Sequence, residues 1–545
     1  MVKNIFSLLA ARQTSILSGA TIIMATVILS KILGLIRDRL LAHTFSPDNV
    51  AIFFAAFRIP DLIFQLLVFG ALSVAFIPVF TEVLAGKGRP EAFRLASAIL
   101  NLAMLILALA TVLIYFFVDP LTNLVVPGFT PEQKLQVANL TRVILIGQLV
   151  LAVGSFFAGI LQSFQRFIIP ALAGVFYNFG IILGIIMLSK SYGVMGAAIG
   201  VIIGATLHVL IQLPLVFALG FRYSLLANIF HSGAREIVRL MSMRTLGLAA
   251  EQINETVGVV LASLVSTASV TYLTFATHLQ LVPVSLFGAT IAQAALPILS
   301  AERARGRMEE FKITLLTTLH QVLFLALPAT AILIVLRVPA VRLTFGASQF
   351  DWTATVLTGQ TLAFMSIGLS AQAIALLLVR AFYALKDTKT PVAVSLITVA
   401  VNIALSFYFI QVLRMPVWGL GLAFSISSIL SAFLLFFSLH FKVGKFDLNM
   451  ALVPFFKMLS ATVIMGVCLY VPIKLLDAVI FDTTRTINLL VLTGLSSAFA
   501  LSIYVFLVWF LRVRELHTYV DLFKRMGKVQ TLIRSEEIIK ETNTV

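Results

Sequence analysis

The sequence predicts an all-α polytopic membrane protein, and three observations carry that reading. Of the 545 residues, 60% are hydrophobic and only 11% are charged, whereas a soluble chain covers its surface with roughly 25% charged residues. The apolar residues fall in blocks of about 20 or more, the length a helix needs to cross hydrocarbon, not in the ~10-residue alternating segments of a membrane barrel. The cations gather between those blocks. A soluble enzyme and an outer-membrane barrel are both excluded. The formal charge of +16 would suggest nucleic acid in a soluble protein. Here it reads as loops held beside anionic headgroups, with no nucleic-acid partner.

Taken in order, spans are expected at 16–44, 50–81, 92–118, 138–163, 167–189, 193–220, 237–265, 268–300, 312–336, 353–384, 391–412, 418–441, 451–475 and 487–511. These make fourteen transmembrane helices. Before the first, Lys3 and the apolar Ile5–Ala10 imitate a signal peptide, but Arg12 and Gln13 interrupt the run. The following block is too long for a cleaved segment, so an interfacial stretch is expected. With this parsing, 27 Lys and Arg fall on the side of the N-terminus and 10 on the opposite side, leaving Lys31 and Arg58 inside spans. The positive-inside rule then places both termini in the cytoplasm. The single cysteine, Cys468, supports no disulfide framework within one chain.

An internal repeat appears at an offset near 220 residues. Pro60, Gly70, Ala71, Ala75, Pro78 and Glu82 of the second span are echoed by Pro283, Gly288, Ala289, Ala294, Pro297 and Glu302 of the eighth. Gln165, Pro170 and Asn178 are echoed by Lys386, Pro391 and Asn402. Copies six helices apart keep the same orientation, which implies two parallel-repeat six-helix lobes related by an axis along the membrane normal. The expected organisation is an N-terminal lobe at 1–225, a C-terminal lobe at 226–445, two C-terminal helices at 446–512 and a basic tail at 513–545.

No stretch matches a phosphate-binding loop, a dinucleotide fingerprint, a zinc helix or a nucleophile elbow, and the seven histidines have no ligand spacing. No enzyme, no cofactor and no nucleotide-driven pump is expected, while a metal remains open. Gly193, Gly196 and Gly200 read as close helix packing. Charges within spans are the functional candidates, because each is costly in lipid and tends to face a bundle interior or a wet cavity. The first span carries Ser30, Lys31, Arg37, Asp38 and Arg39; the second carries Arg58 and Asp61. Lys31 and Asp38 share a helical face, whereas Arg37 is rotated away unless Gly34 bends the helix. Arg39 reads as an outer-end cap. Lys31 and Arg58 read as ligand-binding cations, with Asp61 one turn beyond Arg58 as the alternative partner. Glu251 and Glu255 in the seventh span either share a proton or a sodium ion, or meet a cation from the other lobe. His278 and Gln280 could line a cavity or simply pack. Gln148, Gln162, Asn178, Gln293, Gln372 and Asn402 read as interhelical hydrogen-bond glue.

Three runs then carry a family resemblance: Ser30-Lys31-Ile32-Leu33-Gly34-Leu35-Ile36-Arg37-Asp38, Phe53-Phe54-Ala55-Ala56-Phe57-Arg58-Ile59-Pro60-Asp61-Leu62, and Gly70-Ala71-Leu72-Ser73-Val74-Ala75-Phe76-Ile77-Pro78. With Gln252-Ile253-Asn254, the Phe275–Pro283 segment and Phe382 to Pro391, the chain resembles the MurJ/MviN lipid II flippases of the multidrug, oligosaccharidyl-lipid and polysaccharide exporter superfamily. The resemblance implies a cationic cavity between two lobes, and a groove for a lipid tail formed by the last two helices. Its implied cargo is lipid II or a related polyprenyl-pyrophosphate-linked glycan, carried across a bacterial inner membrane and driven by an ion gradient or the membrane potential. Membrane lipids and cell-wall assembly proteins are the implied partners.

Residue by residue, the family's serine and first cavity arginine fall on Ser30 and Lys31, and its second arginine falls on Arg37, followed by Asp38. The exchange of Arg for Lys keeps the charge and loses bidentate phosphate geometry. Family charges are replaced at Ala51, Phe64 and Phe69, and the usual Asp-Arg pair of the eighth helix is Thr277-His278. Asn402 matches a sodium-coordinating position of some relatives, where Ser406 replaces the acid. The substrate-binding set is therefore Ser30, Lys31, Arg37, Asp38, Arg58 and His278, with Glu251, Glu255 and Asn402 as possible ion-coupling residues. Two other functions are kept beside lipid II flipping: export of another lipid-linked glycan or amphipathic small molecule, and a transport-inactive cell-wall scaffold.

Overall fold

The computed structural model describes residues 16–69, 76–225, 232–346, 348–479 and 486–519. The expectations for Lys3, Arg12, the Gly70–Ala75 run and the tail beyond Tyr519 lie outside the described residues. The elements begin with α1 (Ile16–Thr44), α2 (Pro47–Phe64) running into a π turn at Gln65–Phe69, α3 (Ile77–Val125), α4 (Pro131–Ser163), α5 (Ile168–Tyr192), α6 (Val194–Leu210) and the short α7 (Leu213–Ala218). Next come α8 (Ser232–Val265), α9 (Thr267–Pro283), a π turn at Val284–Ala289, α10 (Thr290–Ala304), α11 (Met308–Val335), α12 (Arg337–Phe345), α13 (Trp352–Ser366) and α14 (Leu369–Ala384). The last are α15 (Lys389–Phe407) with a π turn at Tyr408–Val412, α16 (Trp418–Lys442), α17 (Leu448–Val479) and α18 (Thr486–Phe510).

Eleven helices among the described residues are long and apolar enough to cross a membrane, and twelve if α13 and α14, which meet at a 45° bend, form one span. The expected total of fourteen depends in addition on α1 and α8, which occupy the predicted first and seventh positions. The expected loop between the second and third spans is a break inside α3, where Gly88 adopts φ 83°. That left-handed conformation suits glycine, which has no Cβ to clash. The helix α12 was expected to be loop.

Helix starts follow elementary capping chemistry. Pro47 and Pro131 stand in the first turns of α2 and α4, where a missing N–H costs nothing. Thr130 and Gln133 form a reciprocal capping box at the start of α4. Asp387 does the same work for α15: its Oδ1 accepts from the backbone N–H of Lys389 at 3.0 Å and of Thr390 at 3.1 Å, while Lys442 and the Thr390 hydroxyl hold Oδ2. The Lys-Asp-Thr-Lys-Thr-Pro run is thus a helix-start device.

The internal repeat has a backbone counterpart. The π turns at Gln65–Phe69 and Val284–Ala289 recur at the spacing seen in the sequence, each following a helical proline, Pro60 or Pro283. Gln165 at φ 60° and Lys386 at φ 59° recur likewise, both in the left-handed region that non-glycine residues seldom adopt.

Packing gathers the chain into two compact units, each continuous in space but not in sequence. The first comprises Met1–Leu279, Thr344–Thr361 and Ser395–Phe424; the second comprises Gln280–Leu343, Leu362–Val394 and Ser425–Val545. In the first unit α5 and α6 lie backbone to backbone. A Cβ on Gly184 would fall 2.4 Å from Gly200 Cα, and one on Gly204 would fall 2.3 Å from the Tyr177 carbonyl. Gly196 joins this seam, as the sequence suggested. Gly193 does not: it turns the chain between the helices at φ 56°, with open space where a Cβ would stand.

Two expected outcomes test these points. Gly184→Val forces the α5–α6 seam apart and lowers stability by about 2 kcal/mol, read as a lower thermal unfolding midpoint of the purified protein. Burial pushes the Asp387 carboxyl up, but the bonds from Lys442 and Thr390 outweigh it and hold the group at about 2. A depressed folded-state value contributes stability above the ordinary carboxylate range and loses it as pH falls toward 2. Asp387→Asn therefore removes an acid-sensitive contribution, and the unfolding midpoints of wild type and variant converge as the medium is acidified.

Candidate functional site

The helix α1 enters the first unit carrying a carboxylate with almost no access to solvent: Asp38 is 1% exposed. Its Oδ1 accepts hydrogen bonds from Arg37 Nε at 3.0 Å and Nη2 at 2.8 Å. Its Oδ2 lies 2.6 Å from His278 Nδ1 on α9. The Arg37 guanidinium also donates through Nη1 to Asn178 Oδ1 on α5 at 3.1 Å. Asn178 Nδ2 turns back toward the Gly174 carbonyl at 3.2 Å and Ser30 Oγ at 3.4 Å. One buried carboxylate thus joins two helices, and the amide of Asn178 joins a third.

Of the substrate-binding residues named from sequence, Ser30, Arg37, Asp38 and His278 come together here. Arg37 was expected to be rotated away from Asp38; the adjacent position leaves their Cβ atoms on different faces, but the long guanidinium arm reaches across. Lys31 is not in this cluster. It is exposed, and no ion pair to it is found among the described residues. Sharing a helical face with Asp38 does not bring its ammonium to a carboxylate already occupied on both oxygens. Asn178, read from sequence as interhelical glue, supplies the acceptor that orients Arg37. Only its position one repeat before Asn402 marked it.

A second polar group sits on α2 and α8 of the same unit. Arg58 Nη1 donates to Glu255 Oε2 at 2.9 Å, and Asp61 stands 3.8 Å from the same guanidinium. Asp61 thus pairs with Arg58 through Oδ2 as well, while its Oδ1 accepts from Gln148 Nε2 on α4 at 2.9 Å. Of the two alternatives for the seventh span, Glu255 takes the cation-facing one. Glu251 is exposed, and Asn402 Nδ2 donates to Asn254 Oδ1 at 2.7 Å. Among the described residues no group of three His, Cys, Asp or Glu is arranged to hold a metal ion.

Arg37 has five N–H donors and spends three on Asp38 and Asn178, so the remainder can meet an incoming oxyanion. The charges lie in helices whose other residues are overwhelmingly apolar, where an unpaired guanidinium would be prohibitive. Asp38 keeps it compensated. His278 is further fixed by the edge of the Phe54 ring, with centroids 5.8 Å apart.

A family model described as "Lipid II flippase MurJ" matches residues 41–507. The chain belongs to the MurJ family. The probable lipid II flippase MurJ of Vibrio cholerae is 30% identical over 443 residues, covering 78% of this chain and 83% of that protein. A solved structure titled "Lipid II flippase MurJ, inward closed conformation" superposes with a TM-score of 0.74 at 26% identity, covering 88% of this chain and 98% of the other. An inward-facing multidrug transporter of the wider superfamily shares the fold at a TM-score of 0.65 and 13% identity. Membership in the MurJ family thus agrees with the many apolar helices.

Removing the shared carboxylate leaves a partly buried guanidinium without its counter-charge. Asp38→Ala is expected to cost about 3 kcal/mol of stability. The double variant Arg37→Gln/Asp38→Asn, with no charge to strand, recovers much of that loss in the same thermal unfolding measurement.

Proposed function

We propose that this chain is a flippase that carries lipid II, an undecaprenyl-linked peptidoglycan precursor, from the cytoplasmic to the outer leaflet of a bacterial cell membrane. The observation that carries the reading is Arg37, a guanidinium with spare donors, pinned by Asp38 and Asn178 inside an apolar helix of a MurJ-family chain. A pyrophosphate head cannot enter hydrocarbon without replacing its hydration, and fixed donors supply that replacement.

The cycle follows from the pairing. With no cargo, Asp38 neutralises Arg37. An arriving diphosphate competes with Asp38 for the guanidinium, and Ser30 and His278 lie close enough to share the load. Lys31, exposed and without an ion pair among the described residues, and Arg58 extend the cationic surface along α1 and α2. Alternating access of the two repeat lobes, 1–225 and 226–445, moves the head across while the helices of 446–512 accommodate the lipid tail. The recurrence of the fold in an inward-facing transporter supports this cycle. No nucleotide-binding motif occurs in the sequence, so an ion gradient or the membrane potential is the proposed drive. Glu251, Glu255 and Asn402 are the proposed coupling residues, and both termini are placed in the cytoplasm.

The test compares Arg37→Ala with Arg37→Lys in proteoliposomes loaded with lipid II and in cells that depend on this gene. Arg37→Ala lowers the flipping rate by about tenfold or more, as loss of a charge-assisted contact predicts, and Arg37→Lys retains most of it. Equal activity of both variants and wild type would overturn the reading.

A further inference from the structure

A buried ionisable pair stands in the second unit. His320 lies on α11 and Glu515 lies on the helical turn that follows α18; they are 5% and 7% exposed. His320 Nε2 is 3.0 Å from the carbonyl oxygen of Ala451. A carbonyl only accepts, so Nε2 carries a hydrogen. The other ring nitrogen, Nδ1, faces Glu515 Oε1 at 3.4 Å. A neutral ring with its hydrogen on Nε2 would aim a lone pair at a carboxylate in a dry pocket. The arrangement is stable only with one further proton between the two groups. Glu515 Oε2 is buried with no hydrogen-bond partner, so the carboxylate depends on what its Oε1 side meets.

The pair sits where a segment is fastened. Tyr519, one turn beyond Glu515, donates its hydroxyl to the Gln321 carbonyl at 3.1 Å and stacks on Phe324 with centroids 5.1 Å apart. Tyr504 of α18 donates to the Phe324 carbonyl at 3.0 Å, and Lys457 of α17 donates to the Leu511 carbonyl at 2.9 Å. Val513 is buried beside them. We propose that His320 and Glu515 form a proton-operated latch: with the shared proton bound, residues 513–519 are seated on α11, and its loss on the alkaline side unseats them.

The other ionisable groups around the pair do not substitute for it. Burial, then the charge of Glu515, pushes the Tyr519 hydroxyl up to about 12, so it stays protonated. Burial pushes the Glu515 carboxyl up, but the bonds from His320 and from its own backbone outweigh this and hold it below the ordinary range. Both ring nitrogens face acceptors, the Ala451 carbonyl and the Glu515 carboxylate, so the geometry calls for a hydrogen on each. Arg514 and His517 are exposed on the segment itself. Lys457 is engaged with a carbonyl, and Tyr504 donates to one. Loss of the shared proton sets the Nδ1 lone pair against a carboxylate.

The experiment is hydrogen exchange of the full-length protein in lipid nanodiscs from about pH 6 to about pH 9, corrected for the intrinsic base-catalysed rate. In the wild type, protection of residues 513–519 falls by about tenfold per pH unit once the shared proton is lost. Glu515→Gln replaces the carboxylate with an amide whose N–H donates to the neutral ring, so protection persists to the alkaline end. His517→Gln, altering the exposed histidine, keeps the wild-type pH dependence. Wild-type protection that stays flat across the range overturns the proposal and needs no variant to fold. So does a Glu515→Gln protein with the wild-type pH dependence.

Discussion

A charge placed among apolar helices has to bring its own counter-charge, and in this protein that requirement organises the polar interior. Asp38 satisfies it for Arg37 on one oxygen and holds His278 on the other. Because those partners come from its own helix and from α9, the ion pair is also a joint between elements distant in sequence. Arg58 with Glu255, Lys442 with Asp387 and His320 with Glu515 repeat the device. In each case a carboxylate from one segment meets a basic side chain from another, so that the folded chain carries few uncompensated charges in its apolar interior. Such pairs contribute less by attraction than by the penalty of breaking them, since desolvation has already been met.

Helix packing delivers these groups to one another. The glycine seam between α5 and α6 lets two backbones approach within the radius of a methyl group, and it leaves Tyr177 and Asn178 of α5 beside the charged stretch of α1. The π turns act on the other side. Each inserts an extra residue into the helical turn after a proline, which changes the phase of everything beyond it without ending the helix. Their recurrence in the second and eighth spans places the same adjustment at matching points in both halves of the repeat.

Much of this architecture was legible in the sequence, because crossing hydrocarbon imposes a length and a composition that few other constraints imitate. Most of the described helices overlap the expected spans, apart from α12 and the continuation of α3 through the expected loop, and the prolines of the repeat mark π turns that recur in the backbone. The site was legible in part. Ser30, Arg37, Asp38 and His278 were marked by charge and by resemblance, and they converge. What could not be read was partnership. Face counting separated Arg37 from Asp38, whereas a flexible arm of three methylenes reaches the next residue easily. Lys31 was grouped with Asp38 on the same grounds and does not reach it. Glu255 meeting Arg58, with Gln148 taking Asp61, depends on how distant helices pack, and no periodicity within one helix contains that information.

The Asp38 and Glu255 ion pairs of the first unit differ in a way that reaches beyond geometry. The Asp38 side chain is 2% accessible, while that of Glu255 is 49% accessible. Mobile electrolyte screens charges it can approach and leaves secluded ones nearly untouched. Where electrolyte reaches both, raising the ionic strength weakens the link between α2 and α8 more than the joint between α1 and α9.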